Sequence, residues 1–357
     1  MSNAVDYESG ARILDRAVLF AQSGKHLPVE WISYSRAIFA LTAKTWTPAF
    51  ATMLLAKTID DQLDAFSLKV DKTDPRSYSL RGLCHSVIVP AAAEKQFSIR
   101  NTGREPINNQ PFFRYSRIDE LERVRDVRDR DFFVEVTKKV EELSSSQAFE
   151  ALAAFLCVAL EEAERIKRIV VQSEQIDPDG ARVAAVDFLR RDAEDRPRRL
   201  QAFAAACLDM AFSDVRTRRI NDPSRDFPGD VQVIDEDEPI LTMEVRGKAV
   251  SQTEVSQFVG AAKRAGFLRA LIFVDAAKQP HIDVREATKG HDLRGVQVAI
   301  YVSLTELLGD AFLWSNRPSK NTAEAFTQCM LSRLREIEVA EASLREWARA
   351  VAVAQQG

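Results

Sequence analysis

The chain has 357 residues, 46% hydrophobic and 29% charged, with a formal net charge of -4. That length has room for two domains, each able to bury a core, and the balance is ordinary for a globular protein. The mild acidity excludes a histone-like nucleic-acid coat but leaves room for a local basic groove.

The first residues, Met-Ser-Asn-Ala-Val-Asp-Tyr-Glu, carry neither a positive n-region nor an apolar h-region, so no secretory signal is expected. The longest apolar run, Ala151 to Leu160, is about half the ~20 residues of a membrane span. Cys84, Cys157, Cys207 and Cys329 are scattered without a CxxC pair, as expected of thiols in a reducing compartment. These features predict a soluble, cytoplasmic protein.

The first half reads as mostly helical. Apolar residues recur at helical spacing over Ala11–Ala21, Trp31–Lys57 and Phe132–Leu143. Asp71–Ser77 has turn composition, Tyr78–Ala92 predicts a helix, and Phe97–Arg100 predicts a short strand. Asn101–Arg114 is a polar loop punctuated by glycine and proline, and an alanine-rich helix follows from about Ser146 to Val171. Asp177-Pro-Asp-Gly180 reads as a turn and as the domain boundary, dividing the chain into 1–176 and 177–357.

The second half changes texture. A helix over Arg199–Ser213 leads into two strands around Asp230 and Glu244. Ser251–Ala265 predicts a helix that opens on a capping box, Ser251 with Glu254. Leu268–Val274 and Val296–Val302 predict two more strands, and Ser303 is placed to cap the helix after them. Thr322–Val353 reads as one long amphipathic helix with Met330, Leu334, Ile337, Leu344, Trp347 and Val351 on its apolar stripe. The order predicts an α/β (α+β) fold, a helical N-terminal region followed by a mixed central sheet flanked by helices.

Asp230 and Glu244 are the most informative pair. Proline and glycine turn the chain directly ahead of Asp230, and Glu244 is followed by Arg246 and Lys248 at alternate positions. Strand side chains alternate between faces. Leu241, Met243 and Val245 therefore form an apolar face, and Thr242, Glu244, Arg246 and Lys248 a polar one. Two adjacent strands of this kind set two carboxylates and a cation together, as metal-assisted phosphodiester hydrolysis requires. His26, His85, His281 and His291 show no metal-ligand spacing.

Pro228-Gly-Asp230 with Glu244-Val-Arg246 resembles the PD-(D/E)xK motif of type II restriction endonucleases. The stretch Asn221 to Val231 and the loop Thr102 to Phe113 resemble the SacI family in particular. The resemblance implies a PD-(D/E)xK core and Mg²⁺-dependent cleavage of a short palindromic DNA duplex, GAGCTC being the founding member's site. It also implies a homodimer and a companion DNA methyltransferase. By that resemblance Asp230 and Glu244 ligate Mg²⁺, with the backbone carbonyl of Val245 as third ligand.

Arg246 stands where the superfamily usually has lysine. A guanidinium does not give up its proton, so Arg246 suits phosphate orientation and charge stabilisation rather than general-base work. Lys248 shares its face, with its Cα about 13 Å from that of Glu244 at ~3.3 Å per residue. Asp209 and Asp214 are available as an additional acid ahead of the first motif strand.

For DNA reading, Arg104, Asn108, Asn109 and Gln110 carry groups that suit guanine and adenine edges. Arg76 and Arg81 flank a helix start as secondary candidates, and Arg216, Arg218, Arg219 and Arg225 suit phosphate neutralisation ahead of Asp230. Two rival readings are a structure-directed or repair endonuclease and a DNA-binding protein with a decayed nuclease core, the latter suggested by the missing lysine.

Overall fold

The structure is a computed structural model that describes residues 5–24, 26–100, 106–107, 110–122, 124–191, 194–217, 228–288 and 295–356. It divides into two compact units, Met1–Arg168 and Ile169–Gly357.

The first unit is helical. It comprises α1 (Tyr7–Gln22), α2 (Val29–Ala40), α3 (Trp46–Ile59), α4 (Leu80–Leu83), α5 (Val89–Lys95), α6 (Gln110–Arg114), α7 (Val127–Glu141) and α8 (Ser145–Lys167). α3 is apolar all round and buried along its length from Trp46 to Lys57, the mark of a central core helix. It packs against α8, which also meets α1 and α2.

The stretch of helical spacing over Trp31–Lys57 forms two helices, α2 and α3. Between them the Leu41 carbonyl accepts from Arg100 at 2.7 Å and the Thr42 N–H donates to Asp129 at 2.7 Å. Side chains from elsewhere thus capture the backbone groups that would have continued the helix. Leu80–Lys95 is helical throughout, with a π-helical segment at Cys84–Ile88 joining α4 to α5.

Phe97–Arg100 is not a strand. Left-handed backbone at Gln96 and Arg100, both at φ 59°, bends the chain at each end, and the Ser98 N–H donates to Ala159 in α8. Asp177–Gly180 is likewise not a free turn. Asp177 caps α9 (Pro178–Arg190), its side chain accepting from the Gly180 N–H at 2.7 Å, with Pro178 in the first turn. The division between the two compact units falls at Arg168/Ile169, just past the end of α8.

The second unit continues with α10 (Arg196–Leu208), β1 (Val215–Thr217), β2 (Val231–Asp235), β3 (Glu238–Arg246), α11 (Gln252–Arg264), β4 (Arg269–Val274), α12 (Val284–Thr288) and β5 (Gln297–Tyr301). α13 (Leu304–Leu313), α14 (Ser319–Glu336) and α15 (Glu341–Ala354) complete it. The five strands lie in the order β1-β2-β3-β4-β5. β1, β2 and β3 pair antiparallel, and β3, β4 and β5 pair parallel. This is the expected mixed sheet, with short β1 added at its edge.

Each face of the sheet has its own core. On one, Ile272 and Val274 of β4 join Val255, Val259 and Ala262 of α11. On the other, Phe273 meets Phe203 of α10 at 5.7 Å between ring centroids, and Phe203 meets Phe326 of α14 at 6.0 Å.

The single C-terminal helix expected over Thr322–Val353 is broken between α14 and α15, with Glu338 left-handed at φ 59°. The break is held from the start of α10. Arg198 donates to the Glu338 carbonyl at 2.8 Å, and Asp195 accepts from the Ala340 N–H at 3.0 Å and the Ser343 hydroxyl at 2.6 Å. The apolar stripe survives the break, because Met330, Leu334, Ile337, Leu344, Trp347 and Val351 are all buried.

Candidate active site

The site forms where the Pro228–Asp230 turn meets the C-terminal end of β3. Gly229 is left-handed at φ 84° and lies so close to β3 that an added Cβ would clash with the Thr242 hydroxyl and sit 2.9 Å from the Met243 carbonyl. The Pro228 carbonyl accepts from the Thr242 hydroxyl at 2.6 Å and from the Gln232 amide at 3.1 Å. Gln232 and Thr242 are both buried. Their polar face is therefore not a solvated strand face, and its inner members anchor the turn.

That anchoring aims Asp230. Its N–H donates to the Met243 carbonyl at 2.8 Å, its carbonyl accepts from the Gln201 amide of α10 at 2.9 Å, and its Oδ2 accepts from the Val245 N–H at 2.8 Å. The carboxylate is held against β3 one residue from Glu244. Backbone groups of a strand alternate between its two edges. The Arg246 carbonyl points toward β4, accepting from the Asp275 N–H at 2.8 Å. The Val245 carbonyl therefore shares the Asp230 edge with its own N–H.

Glu244 and Arg246 pair in register with Ile272 and Val274, so both lie on the α11 face of the sheet. The Glu244 side chain is 16% exposed and ion-paired to Arg246, whose own side chain is 43% exposed. Arg246 and Lys248 also lie near Glu254 at the start of α11. The Ser251 N–H and hydroxyl hold the Glu254 carboxyl below its usual range, and the two cations act in the same direction. Glu254 was legible in sequence only as half of a capping box; its approach to the strand end follows from the β3–α11 connection.

Arg196 lies on the opposite side. It pairs with Asp275 at 2.5 Å, and its guanidinium lies 3.4 Å from the position a Cβ on Gly247 would take. Nothing in the local sequence signals this approach, which depends on how α10 crosses the sheet.

Other expected residues fall elsewhere. Asp209 is gripped by Arg333 through bonds of 2.8 and 2.6 Å, and Asp214 is bound by Arg216 at 3.1 and 2.7 Å. Both carboxylates are thus engaged by arginines. The Asp214 pairing also occupies Arg216. Arg104, Asn108, Asn109, Arg218, Arg219 and Arg225 lie outside the described residues, and Gln110 opens α6.

Among the described residues no group of three or more His, Cys, Asp or Glu forms a metal-holding cluster. The oxygen donors at this strand end are the Asp230 carboxylate on the Val245 N–H, the Glu244 carboxylate paired with Arg246, and the Val245 carbonyl on the Asp230 edge. That hard-oxygen set fits Mg²⁺, which keeps several waters rather than demanding an all-protein cage. No helix among the described residues is long and apolar enough to cross a membrane.

The mixed sheet flanked by helices is consistent with a PD-(D/E)xK-like restriction-endonuclease core. The model of the SacI restriction endonuclease N-terminal domain matches residues 9–163, wholly within the first compact unit. Over 361 residues, 98% of each chain, the sequence is 39% identical to the type II restriction enzyme SacI of Streptomyces achromogenes. The chain belongs to the SacI family of type II restriction endonucleases and is a DNA-cleaving enzyme.

Proposed function

We propose that this endonuclease makes Mg²⁺-dependent double-strand cuts at GAGCTC, with Asp230, Glu244 and the Val245 carbonyl holding the metal. The observation that carries the reading is the Asp230 Oδ2 bond to the Val245 N–H, which brings one motif carboxylate against the strand that bears the other. Mg²⁺ bound there supplies charge neutralisation and Lewis-acid activation at the scissile phosphate. Arg246 orients that phosphate and stabilises its developing negative charge, and Lys248 adds positive charge at the strand end. Arg246 does not serve as the base, because its guanidinium stays protonated.

The second unit carries out cleavage, and the first reads sequence through Arg104, Asn108, Asn109 and Gln110. Arg218, Arg219 and Arg225 contact phosphates. A palindromic site matches a two-fold homodimer with two active centres. A companion DNA methyltransferase protects the host site, and the enzyme works in the cytoplasm.

Plasmid DNA incubated with the protein tests this directly. With Mg²⁺ the expected result is discrete fragments ending at GAGCTC, and with EDTA none. Cutting at other sequences overturns the assigned site, and cutting in EDTA overturns the metal reading.

Arg246→Ala is expected to slow cleavage by roughly a hundredfold or more, the scale for removing one charge-stabilising group from the transition state. Lys248→Ala is expected to cost less. Single-turnover rates measure both, and full activity in Arg246→Ala removes that residue from the chemistry.

A further inference from the structure

In the first unit, α6 sends two neighbouring phenylalanines into opposite surroundings. Phe112 is buried, its ring edge-on to Trp46 at 5.3 Å between centroids. Phe113 is 57% exposed, although an aromatic ring gains from burial. Anchoring α6 through Phe112 leaves Phe113 facing outward.

Cations surround that exposed ring. The Arg81 guanidinium carbon lies 5.4 Å from its centroid and the Lys69 ammonium 5.9 Å. Lys69 also donates to the Arg114 carbonyl at 3.4 Å, tying the Lys69 segment to the end of α6. Among the described residues no carboxylate pairs with Lys69, Arg81 or Arg114. Arg76 and Arg117 differ, being held by Glu141 and Asp64. Among the described residues the region therefore holds two kinds of arginine, those that brace the fold and those with no carboxylate partner.

An apolar ring bordered by unpaired cations matches a polyanion that also presents flat apolar edges. We infer that Lys69, Arg81, Phe113 and Arg114 form a duplex-DNA contact, in which the cations meet backbone phosphates and the Phe113 ring packs on the sugar–base edge between them. Phosphate contacts set register, while a ring against the bases responds to local shape and stacking. This inference rests on the endonuclease reading and extends it to a surface of the helical unit.

Binding of the full chain to labelled duplexes in EDTA, one carrying GAGCTC and one of equal length without it, tests the inferred surface. Phe113→Ala is expected to weaken binding to both by about fivefold to tenfold, the lower range for aromatic–base stacking, with the salt dependence unchanged. Lys69→Ala combined with Arg81→Ala is expected to flatten the slope of log affinity against log salt by about 1.8, at ~0.9 for each phosphate no longer neutralised. Both variants should keep the wild-type unfolding midpoint, since the altered groups lie at the surface. Unchanged affinity in Phe113→Ala, or an unchanged slope in the double variant, overturns the inference. Wild-type protein that binds neither duplex overturns the inferred surface alone, because the Mg²⁺ cleavage assay tests the endonuclease reading separately.

Discussion

Replacing Asp230 with asparagine is expected to reduce cleavage at least about a thousandfold while leaving the fold and DNA binding in place. The size follows from losing several kcal/mol of metal-assisted charge stabilisation, at ~1.4 kcal/mol per tenfold in rate. Asparagine has nearly the same shape and keeps an oxygen that can accept the Val245 N–H, now bonded at 2.8 Å. The backbone bonds from Asp230 to Met243 and Gln201 do not depend on the side chain. Single-turnover cleavage, duplex binding and thermal unfolding measured on the same preparation separate the outcomes. Near-wild-type cleavage removes Asp230 from metal binding, whereas parallel loss of cleavage and folding makes its role structural.

Gly229→Ala is expected to abolish cleavage by a different route, through displacement of Asp230. The left-handed backbone alone costs roughly 1–3 kcal/mol for a residue with a Cβ. Steric conflict adds to that, because the new carbon meets the Thr242 hydroxyl and lies 2.9 Å from the Met243 carbonyl. Neither neighbour retreats easily. Thr242 is fully buried and bonded to the Pro228 carbonyl, and Met243 belongs to the β2–β3 ladder. The turn must move instead, carrying Asp230 away from Val245. Denaturant unfolding should show a loss of stability, and cleavage should fall by more than the folded fraction. Wild-type activity in this variant would falsify the tight approach of the turn to β3.

The arginine at the usual lysine position fits the geometry around it. Arg246 is ion-paired to Glu244 and lies near Glu254, so its permanent charge bridges the strand end and the start of α11. A planar guanidinium also suits bidentate phosphate contact, which an ammonium cannot reproduce. This favours an active nuclease over a decayed core, consistent with family membership.

Much of the site was legible in the residues alone, because its determinants are local. A Pro-Gly turn before an apolar strand, alternation along β3, and the Ser251–Glu254 capping box each act within a few residues. Strand parity therefore placed Glu244 and Arg246 on one face, where β3 carries them. Hydrophobic periodicity likewise marked the helices, the mixed sheet and the buried C-terminal stripe.

Where sequence pattern misled, a distant group decided the local outcome. Asp195 and Arg198 break the C-terminal helix, and Asp129 and Arg100 end α2. A backbone amide or a carboxylate takes whichever partner the fold brings within bonding distance, and that distance is not encoded in sequence spacing. The same reason hid the approach of Glu254 and Arg196 to the end of β3, and the exposure of Phe113 beside Lys69 and Arg81. Sequence by itself determined the two motif carboxylates and the chemistry their types allow. Tertiary structure decided how Asp230 is clamped to Val245, since only the folded Gly229 turn brings that carboxylate to the strand carrying Glu244.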